Sequence, residues 1–185
     1  MNFEFIKQYL LHPKTTGAIM VSSNRLAEKM ISGINIKACS CIVEYGPGTG
    51  VFTEKILERR DNQTKVILIE YNQEFYKLLK EKYENENGVY IINDSAENID
   101  IYLKKYNINK VDVIISGLPF ASLPKEMSKT ILEKTKSIIG SRGIFITFQY
   151  SKLKKDLIKS YFSNVNWEKE SFNIPPAYVL NCHNR

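Results

Sequence analysis

From Cys41 onward, apolar residues come in short unbroken runs, separated by segments whose apolar positions recur at helical spacing. "CIVEYG" (41–46) reads as a buried strand, and "VFTEKILERR" (51–60) as a helix with Val51, Phe52, Ile56 and Leu57 on its apolar side. The alternation then repeats. "KVILIEY" (65–71) is a strand and "QEFYKLLKEKY" (73–83) a helix. "GVYIIND" (88–94) is a strand, with a helix near "AENIDIYLKKY" (96–106). "VDVIISGLPF" (111–120) precedes a helix from about Pro124 to Ile139, and "GIFITFQY" (143–150) precedes one over "SKLKKDLIKSYF" (151–162). Strands that are apolar on both faces and separated by helices predict a parallel sheet covered on both sides. Two final runs, near Val165 to Phe172 and Ala177 to Cys182, also read as strands.

The forty or so residues ahead of the first strand carry two helical patterns. In "NFEFIKQYLL", Phe3, Phe5, Ile6, Tyr9 and Leu10 share one side and Glu4, Lys7 and Gln8 the other. "SSNRLAEKMI" (22–31) reads as a second helix capped by Ser22 or Ser23. Late in the chain, Lys152, Lys154, Lys155 and Lys159 lie opposite Leu153, Leu157 and Ile158, a pattern that fits a solvated outer face or a lipid surface.

Bulk composition narrows the class. A chain of 185 residues, 43% hydrophobic and 25% charged, is sized and composed for one globular domain. No run approaches the ~20 apolar residues that span a bilayer. Glu4 and Lys7 break up any signal peptide, so a cytoplasmic protein is expected. A net charge of +6 and a pI of about 9.1 favour anionic partners: RNA, acidic lipid surfaces or phosphorylated substrates. Cys39, Cys41 and Cys182 suit a reducing compartment. Cys39 and Cys41 are placed on one face of the first strand; with no second ligand pair, no metal is expected.

The chemistry gathers around "VEYGPGTG" (43–50). Gly46, Gly48 and Gly50 follow a strand and open a helix, the setting of a nucleotide-type site. The spacing is not that of a dinucleotide loop, and no lysine serves a phosphate. Glu44, just ahead of the loop, would repel a pyrophosphate but suits a cationic amino group. Glu70 ends the second strand, where it suits two ribose hydroxyls; Asp94 follows the third, where it suits an adenine amine.

In this order, these elements resemble the class I S-adenosylmethionine-dependent methyltransferases, across roughly residues 40–150. The resemblance implies a Rossmann-like fold, a seven-stranded, mostly parallel sheet with an antiparallel last strand and helices on both faces. It also implies S-adenosyl-L-methionine as cofactor. Glu44, Gly46, Pro47, Gly48, Thr49 and Gly50 would line its methionine part. Glu70 and Tyr71 would hold the ribose and cover the adenine, and Asp94, Ser95 and Ala96 would flank the base. Ser116 and Gly117 complete the cofactor side. On this reading 1–185 is one methyltransferase domain, with 1–38 a helical extension serving as lid or membrane contact and 39–185 the cofactor-binding core.

The acceptor is read from "SGLPF" (116–120). Adenine-N6 methylating enzymes, including the ribosomal RNA adenine dimethylases, carry Asn/Asp-x-Pro-aromatic there. Pro119 and Phe120 match, but Gly117 stands in place of the amide or acid that accepts from the target amine. Those enzymes also carry a helical C-terminal domain for which 185 residues leave no room. "HPKTTGAIMVSSNRLAEKM", "VEYGPGTGVFTEKIL", "SGLPFASLP" and "NIPPAYV" together resemble the short bacterial phosphatidylethanolamine N-methyltransferases. This second likeness implies methylation of a phospholipid amine by an enzyme peripheral on the inner face of the membrane, with the first helix as its contact. Tyr178, Tyr150 and Phe120 are the candidate catalytic residues. The phenols would take or relay the amine proton, and Phe120 and Tyr178 would cage a methylated ammonium. Nucleic acid is the second-ranked partner. A small-molecule amine methyltransferase and a non-catalytic cofactor binder are the remaining alternatives.

Overall fold

The structure, a computed structural model, describes the backbone of residues 16–173 and 176–184 and the side chains from residue 24 onward. The expected apolar stripe from Phe3 to Leu10 and the Pro175 turn lie outside the described residues.

Seven strands form one sheet: β1 (Cys41–Tyr45), β2 (Lys65–Ile69), β3 (Val89–Ile92), β4 (Val113–Ser116), β5 (Ile144–Gln149), β6 (Asn164–Glu170) and β7 (Ala177–His183). Their order is β3-β2-β1-β4-β5-β7-β6. The first five are parallel, and β7 runs antiparallel to both β5 and β6. β1 is buried at every position, Glu44 included, as expected of a mainly apolar strand covered on two faces. The helices are α1 (Thr16–Ile31), α2 (Val51–Arg59), α3 (Gln73–Tyr83), α4 (Ile99–Lys105), α5 (Lys125–Ile139) and α6 (Lys155–Tyr161).

Side-chain alternation splits the core into two layers. Val43, Tyr45, Ile67, Ile114 and Phe145 face α4, α5 and α6, while Ile42, Val66, Leu68, Ile115 and Ile146 face α1, α2 and α3. The sheet order reverses between β1 and β4, so the chain leaves these two strands in opposite directions. A crevice opens at their carboxyl ends, where such sheets bind ligands.

Three expectations are corrected. Helix α1 runs through Ser22 and Ser23 instead of starting there. Ala18 and Met20 are good helix formers, and no breaker falls between Gly17 and Ser32. Leu26, Ala27, Met30, Ile31 and Ile36, ahead of β1, belong to the same buried cluster as Ile42 and Ile56. Cys39 precedes β1 and packs with the α1 layer, whereas Cys41 packs with the other, so the two do not share a face. Finally, α6 begins at Lys155, leaving Leu153 in the preceding turn, 82% exposed.

Candidate functional site

The glycine loop is shaped by backbone that only glycine adopts readily. Gly46, Gly48 and Gly50 have φ of 62°, 58° and 89°. At Gly50 there is also no room: a Cβ would lie 2.9 Å from the Tyr83 hydroxyl. Gly48 faces open space, so the loop approaches a ligand there without a side chain in between. Lys82 of α3 latches the loop from outside, donating to the Thr49 carbonyl at 3.1 Å.

Glu70 is the hub of the next turn. Its Oε2 accepts from the Gly48 N–H at 3.0 Å and its Oε1 from the Asn72 N–H at 2.8 Å. Asn72 in turn caps α3, accepting from the Glu74 and Phe75 amides. Asn93 pins the same turn, donating to the Glu70 carbonyl at 2.8 Å. A carboxylate has about four acceptor sites, so Glu70 keeps room for a further donor, as a ribose hydroxyl would require. Tyr71, beside it, is 70% exposed and free to lie over a flat ring.

Glu44 is fully buried at the end of β1. Its Oε2 accepts from the Thr53 hydroxyl at 2.7 Å; Oε1 is buried with no hydrogen-bond donor among the described residues. Burial pushes its carboxyl up to about 8; the Thr53 hydrogen bond opposes this and the Glu70 charge adds to it. A buried acceptor lacking a donor fits a cationic ligand group, which would both supply the proton and hold the ionised form.

Asp94 is tied down on three sides, by the Tyr102 hydroxyl at 2.7 Å, the Ser95 amide at 2.7 Å and the Asn98 amide group at 3.0 Å. Its pKa is lowered: burial would raise it, but the bonds from Tyr102, Ser95 and Asn98 outweigh that. The Ser95 side chain caps the following turn, and Ala96 is buried beneath it. These donor sets and the glycine cradle fit a nucleoside with a cationic amino-acid tail.

At the end of β4 the Gly117 N–H donates to the Tyr45 carbonyl at 2.8 Å. A Cβ on Gly117 would stand 2.6 Å from the Gly46 carbonyl oxygen. The backbone of the glycine loop occupies the place a side chain would need. Ser116 is buried and its hydroxyl accepts from the Leu118 N–H at 3.2 Å.

Sequence reasoning missed Gln149, at the end of β5. Its Oε1 accepts from the Ala121 N–H at 3.3 Å, and its Nε2 donates to the Leu118 carbonyl at 3.1 Å. It therefore clasps both ends of the Leu118–Ala121 turn. The available signal was Thr147 and Gln149, two polar residues on the same side of a strand otherwise apolar.

The three candidate catalytic residues do not all converge. Phe120 is fully buried, edge-on to Phe145 at 6.3 Å and 89°, so it presents no face to an amine. The Leu118 side chain lies against the glycine loop, 2.9 Å from where a Cβ on Gly46 would stand. Tyr178 pairs across strands with Gln149, lies 6.1 Å from Trp167 and has the Lys152 ammonium 5.1 Å over its ring. Tyr150, half-exposed, stands edge-on to Phe148 at the end of β5.

Comparison with known proteins follows the same lines. The family model described as ribosomal RNA adenine dimethylase matches residues 9–165. An ornithine lipid N-methyltransferase from Singulisphaera acidiphila is 26% identical over 182 residues, covering 97% of this chain and 94% of that protein. The ribosomal RNA small subunit methyltransferase A of Alkaliphilus oremlandii is 27% identical, covering 96% of this chain but only 64% of that protein. In fold, the chain resembles the N-methyltransferase NodS from Bradyrhizobium japonicum, solved with S-adenosyl-L-homocysteine. The TM-score is 0.69 at 10% identity, with 98% of this chain and 97% of that one covered.

Proposed function

The chain belongs to the ribosomal RNA adenine dimethylase family, and from that premise we propose that it has turned from RNA to the amine of a membrane lipid, phosphatidylethanolamine or a related aminolipid. It is an S-adenosylmethionine-dependent methyltransferase. The lipid assignment rests first on Gly117. An adenine amine is clamped in this family's pattern by a side-chain acceptor at that position. Here a single added Cβ would meet the Gly46 carbonyl oxygen at 2.6 Å, so no such acceptor fits. A tetrahedral primary amine needs no planar clamp. The end-to-end similarity to an enzyme named for an ornithine lipid supports the same reading.

In this reading Glu44 and the loop Gly46–Gly50 hold the amino-acid end of the cofactor. Glu70 and Tyr71 hold its ribose and cover the base, whose edge lies along Asp94, Ser95 and Ala96. Ser116 and Gly117 border the reacting end. When bound, the cofactor supplies an electrophilic methyl group on a sulfonium. The protein's own task is to deliver a neutral amine about 3 Å away, in line. A lipid ethanolamine is largely protonated near pH 7, so a group must take its proton. Tyr150 and Tyr178, at adjoining ends of β5 and β7, are the groups assigned to that task.

Labelled cofactor offered with phosphatidylethanolamine vesicles, ornithine-lipid vesicles and small-subunit ribosomal RNA tests the assignment. Label is expected in lipid, and label confined to RNA overturns it. Tyr178→Phe is expected to lower turnover roughly 10²-fold, the lower range for a proton-transfer group. Unchanged turnover would remove Tyr178 from the chemistry.

A further inference from the structure

Large apolar side chains are exposed at few places, and those places are not scattered. Among the described residues, Tyr71, Ile101, Tyr150, Leu153 and Phe172 stand out as exposed. All but Ile101 lie on the carboxyl edge of the sheet, the edge that carries the glycine loop. Tyr71 follows β2, Tyr150 and Leu153 follow β5, and Phe172 follows β6, whose carboxyl end is brought to the same side by β7. Leu153 and Phe172 are the most exposed, at 82% and 75%.

Cations accompany them. Leu153 is flanked by Lys152, Lys154 and Lys155, none of which has a carboxylate within ion-pairing distance among the described residues. Other lysines are neutralised in pairs, such as Lys55 with Glu58 and Lys77 with Glu74. Lys152 and Lys155 are instead braced upright over aromatic rings, 5.1 Å from the Tyr178 centroid and 5.3 Å from that of Trp167. The Arg25 guanidinium lies 5.8 Å over the Phe172 ring. Acids on this rim, Glu168 and Glu170, are engaged by Lys29 at 3.3 and 3.9 Å.

We infer that this rim is the surface by which the enzyme docks on an anionic bilayer, with Leu153 and Phe172 entering the headgroup region and Lys152, Lys154 and Lys155 meeting lipid phosphates. Exposed apolar tips beside lysines that have no carboxylate partner among the described residues match the interfacial layer of a charged membrane in both respects. Docking by this edge turns the mouth of the crevice towards the lipid, so an amine headgroup reaches it without leaving the bilayer. The inference rests on the lipid reading above, but its anchors, Leu153, Phe172 and the three lysines, are residues to which that reading gives no cofactor or proton-transfer role.

The test is co-sedimentation of the full chain with vesicles of phosphatidylethanolamine and phosphatidylglycerol in equal parts. Wild-type protein is expected to bind, and to bind at least tenfold less when phosphatidylglycerol is replaced by phosphatidylcholine. The double variant Leu153→Glu, Phe172→Glu is expected to lose binding at least tenfold while binding S-adenosylhomocysteine as wild type does. Leu153→Ser with Lys154→Gln, a milder pair, covers the case where the double glutamate fails to fold. Vesicle binding unchanged in a folded variant overturns the inference, as does equal loss of binding to ribosomal RNA. Methylation of detergent-dispersed phosphatidylethanolamine separates the two readings. It bypasses docking, so its absence in wild type defeats the lipid assignment, whereas its survival in the variants is what the docking surface predicts.

Discussion

Glu44 is an acid placed where its charge is unwelcome until a cation arrives. Its carboxyl is pushed up to about 8 by burial, so near pH 7 the ligand-free protein carries it largely protonated. A bound ammonium favours the carboxylate, and binding then releases a proton. Cofactor affinity is therefore expected to rise between about pH 6 and 7.5, below the range where the cofactor's own amino group titrates, by up to about tenfold per unit. Glu44→Gln should bind more weakly and lose that slope, which calorimetry in two buffers would read out. Stability runs the other way. The unfolded chain ionises Glu44 near 4.5 and the folded chain near 8, so the unfolded state holds fewer protons in that window. The ligand-free protein should lose thermal stability as pH rises from about 5 to 8, and Glu70, raised chiefly by burial, acts in the same sense. Glu44, Glu70 and the glycines were legible in the sequence because they sit at fixed offsets from strand ends. Asn72, Lys82 and Asn93 were not, since each acts through a backbone group brought near only by folding.

Two turns carry the acceptor side, and they are coupled. The turn after β4 is shaped by Gln149 from the neighbouring strand, so the carboxyl end of β5 sets the geometry of Leu118 to Ala121. Gln149→Ala should lower kcat/KM some 10–100-fold with cofactor affinity unchanged, and cost about 1–3 kcal/mol of stability for the unpaired groups left behind. Gln149→Glu keeps the acceptor for Ala121 but loses the donor to Leu118, and should recover only part of the rate. The elements themselves were largely readable: every strand of the parallel half coincides with a mainly apolar run. What the pattern misplaced were helix starts. α1 extends back to Thr16 without a local stop signal, and α6 starts late because Leu153 and its lysines stay in the turn. The apolar stripe expected of Leu153, Leu157 and Ile158 was thus split. Ile158 packs inside, Leu157 is half-buried, and Leu153 is left to solvent.

At the scale of the molecule, α1 is a wall of the core. Met30 is 1% exposed within the layer shared with Ile42, Ile56 and Ile146. Met30→Ala should cost about 2–5 kcal/mol, measured by denaturant unfolding, against well under 1 kcal/mol for a detachable extension. Among the described residues no helix is long and apolar enough to cross a membrane. Phe120, a candidate for caging an ammonium, packs in the core edge-on to Phe145. The contact between Gly117 and the Gly46 carbonyl also bears on how such an enzyme changes over time. With the two backbones this close, no single replacement at 117 restores a side-chain acceptor without first displacing the loop that holds the cofactor. A side chain at 117 therefore needs a compensating shift in the Gly46 turn, so two separate turns would have to change together.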